Sequence, residues 1–314
     1  MGRLSDTLAR VGRILRLAER VLAQRAAEPL SEEAFDRNLA FRWESGGGGG
    51  RLVAIDEPDL FDLDDLVGVD RAVAGLVANV EQFVAGYPSN HVLLYGDRGT
   101  GKSSSVKGLL GRFGGRGLRI AELHKDDLLD LPRVLAALRH APQRFLLFCD
   151  DLSFGAGETR YRELKAALEG SLVAPPGNVM IVATSNRRHM LPESNADNRD
   201  AHLDEAGELR MGEAVDEKLA LSDRFGLALG FYGFDQETFL AIVERYARKA
   251  GVQTEWEQVR ADALRWALDR ASRSGRTARQ FVNDLVGREL LAAASAQRGR
   301  PDVVDLRTTR SDGG

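Results

Sequence analysis

The sequence predicts an α/β fold: a mostly parallel sheet covered by helices on both faces, preceded by N-terminal helices and followed by a small all-α domain. Three observations predict it. Between residues 52 and 234, short apolar runs of strand type alternate with helical stretches, the pattern of a sheet buried on both sides. One of these runs, His91 to Tyr95, enters Gly96-Asp97-Arg98-Gly99-Thr100-Gly101-Lys102-Ser103, which matches G-x-x-x-x-G-K-[ST] with every required residue in register. From Asp235 onward the strand pattern stops and helical periodicity takes over.

At 314 residues the chain has enough length for one large core or two smaller ones. With 43% hydrophobic and 29% charged residues it reads as globular, and a net charge of -4 gives it no overall attraction to nucleic acid or anionic membranes. The single cysteine, Cys149, excludes an internal disulfide and sits in an apolar run, where a buried structural thiol is expected. No apolar stretch approaches the roughly 20 residues that span a bilayer. The N-terminus lacks an apolar core followed by a small-residue cleavage site. The expectation is a cytoplasmic protein without a membrane anchor.

Along the chain, residues 3 to 27 read as a basic amphipathic helix, with Leu4, Leu8, Val11, Leu15, Ala18 and Leu22 in steps of four and three. A second helical piece spans Ser31 to Arg42. Ser45 and the five glycines Gly46 to Gly50 then mark a flexible joint. Strands are expected at Val92–Tyr95, Leu118–Leu123, Phe145–Cys149, Val179–Thr184 and Leu227–Phe231. A helix follows the glycine-rich loop over Ser104–Leu110. Asp130 and Pro132 cap and open another that ends near His140, and a third covers Glu158–Glu169 and stops at Gly170. The long polar stretch from Met190 to Lys218, with His189 and His202 near or within it, matches no metal-ligand spacing and reads as a solvated loop. The resulting division is an N-terminal helical extension (1–44), a glycine-rich linker (45–51), an α/β core (52–234), a helical lid (235–297) and a disordered tail (298–314).

The chemistry starts at the glycine-rich loop. Glycines let the chain turn tightly so that successive N–H groups point at phosphates, and the helix beginning there adds its positive end. Gly96 through Ser104 are therefore candidate nucleotide-binding residues, with Lys102 reaching the β/γ-phosphates and Ser103 ligating Mg²⁺. A triphosphatase also needs a carboxylate at the tip of another strand. Phe145 to Cys149 delivers Asp150 there to hold Mg²⁺, and Asp151 follows, placed to polarise an attacking water.

With these motifs in order over residues 62 to 290, the chain resembles an AAA+ ATPase, a P-loop NTPase with an α/β core and helical lid. Within that group it looks most similar to a bacterial family of uncharacterised ATPases, through Asn90 to Gly96, Asp150-Asp151 and Leu221 to Leu227. The resemblance implies further roles. Leu66 to Asp70 resembles the segment that lies against adenine, with Val67 and Gly68 as contacts. Val182 to Arg187 resembles sensor 1, with Asn186 the first choice and Thr184 the reserve. Leu221 to Phe225 resembles the segment carrying an arginine finger into a neighbouring subunit's site, with Arg224 the candidate. Gly275 to Gln280 resembles sensor 2, with Arg279 preferred to Arg276. Asp151 stands where the family usually has glutamate.

The expected function is an ATPase that couples hydrolysis to remodelling of an unidentified macromolecular partner, assembled as a homo-oligomer in which Arg224 acts in trans. A nucleotide-controlled switch with slow turnover is the alternative suggested by Asp151. A DNA-acting loader is a further one: Arg265, Arg270, Arg273, Arg276 and Arg279 could form a basic patch, but acids interleave them and no DNA-reading motif is present.

Overall fold

The computed structural model describes residues 32–46, 49–153, 161–169, 175–186, 202–203, 209–210 and 224–298. The described chain divides into two compact units, with the division between Gly233 and Phe234.

The first unit is built on a seven-stranded sheet. Its strands are β1 (Ala40–Glu44), β2 (Arg51–Ile55), β3 (Val92–Gly96), β4 (Leu118–Glu122), β5 (Arg144–Cys149), β6 (Val179–Ser185) and β9 (Leu227–Phe231), and their spatial order is β2-β1-β4-β5-β6-β3-β9. Only β1 and β2 pair antiparallel; every other pair is parallel. Strands β5 and β6 are buried almost end to end, which is why their sequences are near-continuous apolar runs rather than alternating ones. A separate two-residue ladder joins β7 (His202–Leu203) to β8 (Leu209–Arg210). The rest of the Met190–Lys218 stretch, the N-terminal helix expected over residues 3–27 and the tail after Arg298 lie outside the described residues.

Helices cover both faces. On one, α1 (Glu32–Arg37), α4 (Leu131–Leu138) and α5 (Tyr161–Glu169) share a core with alternate residues of the strands, among them Phe41, Phe145, Leu147, Cys149 and Ile181. α2 (Asp70–Val84) and α3 (Lys102–Phe113) pack against each other and against β9, β4 and β6. Leu76, Val80, Leu109 and Phe113 of this pair are fully buried or nearly so. Cys149 is the buried thiol its surroundings predict, and burial beside Asp150 pushes it up to about 12.

Two local expectations are corrected. The helix foreseen over Ser31–Arg42 ends at Arg37, and Ala40–Glu44 is a strand. Its partners are β2 beside it and β4 on the other side, with Phe41 opposite Ala121, so a long-range pairing decides its conformation. The glycine run is consequently not a joint between separate bodies, because it connects two adjacent strands of one sheet. Gly50 sits against the Trp43 indole, where a Cβ would lie 2.2 Å from the ring. The second correction concerns Asp130. It makes no capping hydrogen bond to α4. Instead its carboxylate accepts from Trp43 Nε1 (3.1 Å), Ser45 Oγ (2.9 Å) and Arg133 (2.9 Å), anchoring the hairpin.

The second unit holds α6 (Gln236–Lys249), α7 (Trp256–Asp269) and α8 (Gly275–Arg298), packed through Phe239, Val243, Val259, Ala263, Ala278 and Phe281. Asp235 caps α6 by accepting from the Thr238 amide at 2.8 Å, which holds its carboxyl below the ordinary value. Ser274 does the same for α8 through the Thr277 amide at 3.1 Å.

Candidate functional site

Strand β3 carries the chain to Gly96, whose φ is +127°. A Cβ there would lie 1.9 Å from the Phe231 carbonyl oxygen, because the Asp97 amide donates to that oxygen at 2.9 Å. Glycine alone permits this approach. Gly99 and Gly101 also have positive φ, and such alternation turns successive N–H groups toward a common centre. α3 starts after Gly101, a residue with no side chain to cap it, which suits a helix N-terminus that binds an anion.

Lys102 opens α3 and is 6% exposed. Its ammonium donates to Gly96 O at 2.8 Å, Asp97 O at 2.7 Å and Asn186 Oδ1 at 3.2 Å, one acceptor for each proton. Ser103 Oγ donates to Asp150 Oδ1 at 2.7 Å, and Thr184 Oγ1 donates to the same oxygen at 2.5 Å. The sheet register explains the meeting: Cys149 of β5 lies opposite Ala183 of β6, so Asp150 and Thr184 leave adjacent strands side by side. Asp151 follows with φ at 51°, a left-handed conformation that aspartate tolerates better than most residues. Its amide donates to Thr184 Oγ1 at 2.8 Å and its carboxylate accepts from Asn186 Nδ2 at 2.5 Å.

The expected residues Lys102, Ser103, Asp150, Asp151 and Asn186 thus converge at the carboxyl ends of β3, β5 and β6. Asn186 bridges Lys102 to Asp151, while Thr184 fixes Asp150 and Asp151, so the two rival candidates for one position both take part. Thr100 is buried beneath the loop, donating to Asp97 O at 2.8 Å, whereas Asp97 and Arg98 are exposed at its tip and Ser104 continues α3. Val67 and Gly68 follow Leu66, whose side chain would meet a Cβ on Gly101 at 2.7 Å, so this segment lies beside the loop. Farther along the same wrap, Leu63 fills the space a Cβ on Gly108 would need, and Asp59 pairs with Lys107 at 2.8 Å.

Arg224 is not part of this cluster. It precedes β9, whose Leu227 pairs with Val92 and whose Phe231 pairs with Gly96. Four strand steps cover about 13 Å, which puts Arg224 beyond the opposite end of the sheet from the loop. Leu221 to Asp223 of its segment lie outside the described residues. Arg279 and Arg276 are exposed on the first turns of α8 in the second unit, with Arg279 6.0 Å from the Tyr246 ring centroid.

Two contacts, one at the loop and one at the opposite end of β3, escape sequence reasoning. Asp97 Oδ2 accepts from the Gly233 amide at 2.6 Å, and His91 Nδ1 accepts from the Ile181 amide at 3.1 Å. Both join residues far apart in the chain, and no local pattern signals either.

The oxygens of Ser103 and Asp150 form the start of a hard-cation ligand set, suited to Mg²⁺, beside amides suited to phosphate. A family model described as protein of unknown function (DUF815) matches residues 36–289. The chain belongs to this family. No curated protein matches the sequence. Among solved structures, this DUF815 protein is similar to a point mutant of Thermotoga maritima RuvB, with a TM-score of 0.51 and 18% identity over 74% of this chain and 67% of that one. Against Thermotoga maritima RuvB described as a Holliday junction branch migration motor, the TM-score is 0.47 at 17% identity, and the match spans 66% of that chain's length. At such identity the likeness concerns the fold, which is that of an AAA+ P-loop protein. Among the described residues no helix is long and apolar enough to cross a membrane.

Proposed function

We propose that this DUF815 protein binds ATP with Mg²⁺ and hydrolyses it. The observation that carries the reading is the connected set Lys102–Asn186–Asp151 beside Ser103–Asp150–Thr184, which joins the phosphate loop to both acids at the carboxyl ends of three adjacent strands. Lys102 and the loop amides bind the phosphates, Ser103 and Asp150 hold the metal ion, and Asp151 with Asn186 orients the attacking water. Val67 and Gly68 contact the base, and Arg279 is the candidate for sensor 2. Arg224 serves the site of a neighbouring copy, since within its own chain it lies at the far end of the sheet. The energy is coupled to remodelling of a macromolecular partner. Steady-state phosphate release by the wild type against Lys102→Ala tests the reading: a wild-type rate no higher than that of the variant overturns it.

A specific observation favours slow turnover. The Asp151 carboxylate is one methylene shorter than glutamate and is tied to Asn186, and misplacing a water by about an ångström can cost about a hundredfold in rate. The protein then works as a nucleotide-controlled switch. Tight ATP binding with negligible hydrolysis by the wild type supports this second reading, and rapid hydrolysis removes it.

A further inference from the structure

Asp97 is bonded through each of its polar parts. Its amide donates to Phe231 O at 2.9 Å, its carbonyl accepts from Thr100 Oγ1 at 2.8 Å and Lys102 Nζ at 2.7 Å, and its carboxylate accepts from the Gly233 amide at 2.6 Å. That last contact is exposed to water, yet it is short and charge-assisted. Gly233 is the final residue of the first unit, and Phe234 begins the second. A Cβ on Gly233 would lie 2.9 Å from Asp97 Oδ2, so a glycine there lets the carboxylate approach the amide. One residue of the phosphate loop therefore touches both the Lys102 ammonium and the exit toward the helical unit.

We propose that Asp97 is a positioning residue that transmits occupancy of the phosphate loop to the chain at Gly233. The inference rests on the reading of residues 96–103 as a nucleotide site. A bound triphosphate competes with the carbonyls of Gly96 and Asp97 for the three protons of Lys102. When the ammonium turns to phosphate, the Asp97 peptide loses a donor. Its remaining contacts readjust, and the carboxylate bond to Gly233 is among them.

Hydrogen exchange over residues 231–236 of the full chain, with and without saturating ATP and Mg²⁺, tests this, with nucleotide affinity measured on the same samples. The wild type should bind and change the exchange rate of the Gly233 amide by about tenfold or more. Gly233→Ala, which leaves the loop sequence intact, should keep its affinity within about threefold and respond by less than about twofold. Asp97→Ala, read at saturating nucleotide, should lose the response, and Asp97→Asn, whose side-chain oxygen still accepts, should restore most of it. The inference is overturned by a wild type that binds ATP without a response at Gly233, or by Gly233→Ala and Asp97→Ala responding as the wild type does. A wild type without nucleotide affinity overturns the nucleotide reading itself. Circular dichroism on each variant separates lost coupling from lost fold, and if Asp97→Ala does not fold, Gly233→Ala against Asp97→Asn decides the matter.

Discussion

Thr184 donates its hydroxyl proton to Asp150 Oδ1 across 2.5 Å and accepts from the amide of Asp151, so one β6 side chain holds both acids at the tip of β5. Replacing Thr184 with valine keeps the shape and removes both bonds. The Asp151 amide then loses its partner, which should cost about 1–3 kcal/mol of stability. Mg²⁺-dependent nucleotide affinity should fall at least about tenfold, as expected when the support of a metal ligand is removed. Thr184→Ser should recover most of both. Urea unfolding and titration of a fluorescent ATP analogue with and without Mg²⁺ measure the two effects.

Asn186 touches Lys102 and Asp151 from one amide group, and on the proposed reading, where it orients the attacking water with Asp151, its role belongs to the transition state more than to ground-state binding. Asn186→Ala should lower kcat by about a hundredfold while nucleotide affinity changes by less than about threefold. Single-turnover hydrolysis beside equilibrium binding separates the two. A large loss of affinity with unchanged kcat would contradict the assignment.

His91 sits at the start of β3 and is held below its ordinary value of 6.5 by burial, with Nδ1 accepting from the Ile181 amide. Protonation would remove that acceptor and bury a charge. The unfolded chain takes up the proton first as pH falls, so stability drops below pH 6.5 and down to the folded value, by at most about 1.4 kcal/mol per pH unit. Above that range His91 contributes no pH dependence. His91→Gln should flatten this part of the curve, as read from urea midpoints at pH 7.5 and 5.5, values about one unit either side of the ordinary one.

The proposed role of Arg224 predicts complementation between two inactive variants. Lys102→Ala lacks a working loop and Arg224→Ala lacks the finger, and each alone should hydrolyse ATP at least about a hundredfold more slowly than the wild type. Mixed in equal amounts, the loop of one meets the finger of the other at about a quarter of head-to-tail contacts. Phosphate release from the mixture should rise accordingly. No gain after subunit exchange argues against a shared site.

The hairpin anchor gives a stability test away from the site. Gly50→Ala forces a methyl to within 2.2 Å of the Trp43 ring, and Asp130→Ala removes the acceptor shared by Trp43, Ser45 and Arg133. Each should lower stability by about 1–3 kcal/mol. Burial alone would raise the Asp130 carboxyl, yet donation by Trp43, Ser45 and Arg133 holds it below the ordinary value. Its contribution is therefore present above the unfolded value and fades as pH falls through the folded one.

Five strands were legible in the sequence, and three of them, Val92–Tyr95, Phe145–Cys149 and Val179–Thr184, are near-continuous apolar runs with almost no polar face to confuse the period. The phosphate loop was legible because its residues are contiguous. Strand β1 was not: Ala40–Glu44 is short, follows a true helix and owes its conformation to Phe41 meeting Ala121, 80 residues away. Asp130 does stand at the N-cap position ahead of Pro132, but its carboxylate bonds Trp43 and Ser45 rather than the helix, and those partners lie elsewhere in the chain. At the site, Asn186 and Thr184 looked like rivals in sequence. Only the pairing of β5 with β6 reveals that Thr184 faces Asp150 while Asn186 reaches on to Asp151 and Lys102.

The lone thiol supplies a built-in stopwatch. Cys149 is fully buried in the middle of the sheet and immediately precedes Asp150, so a thiol-specific reagent reaches it only when β5 separates from its neighbours. With a single cysteine in the chain, the labelling rate reports opening at that one strand without any engineered probe. A ligand that settles on Asp150 lengthens the interval before labelling, and the factor by which it does so reads out its affinity for the closed state.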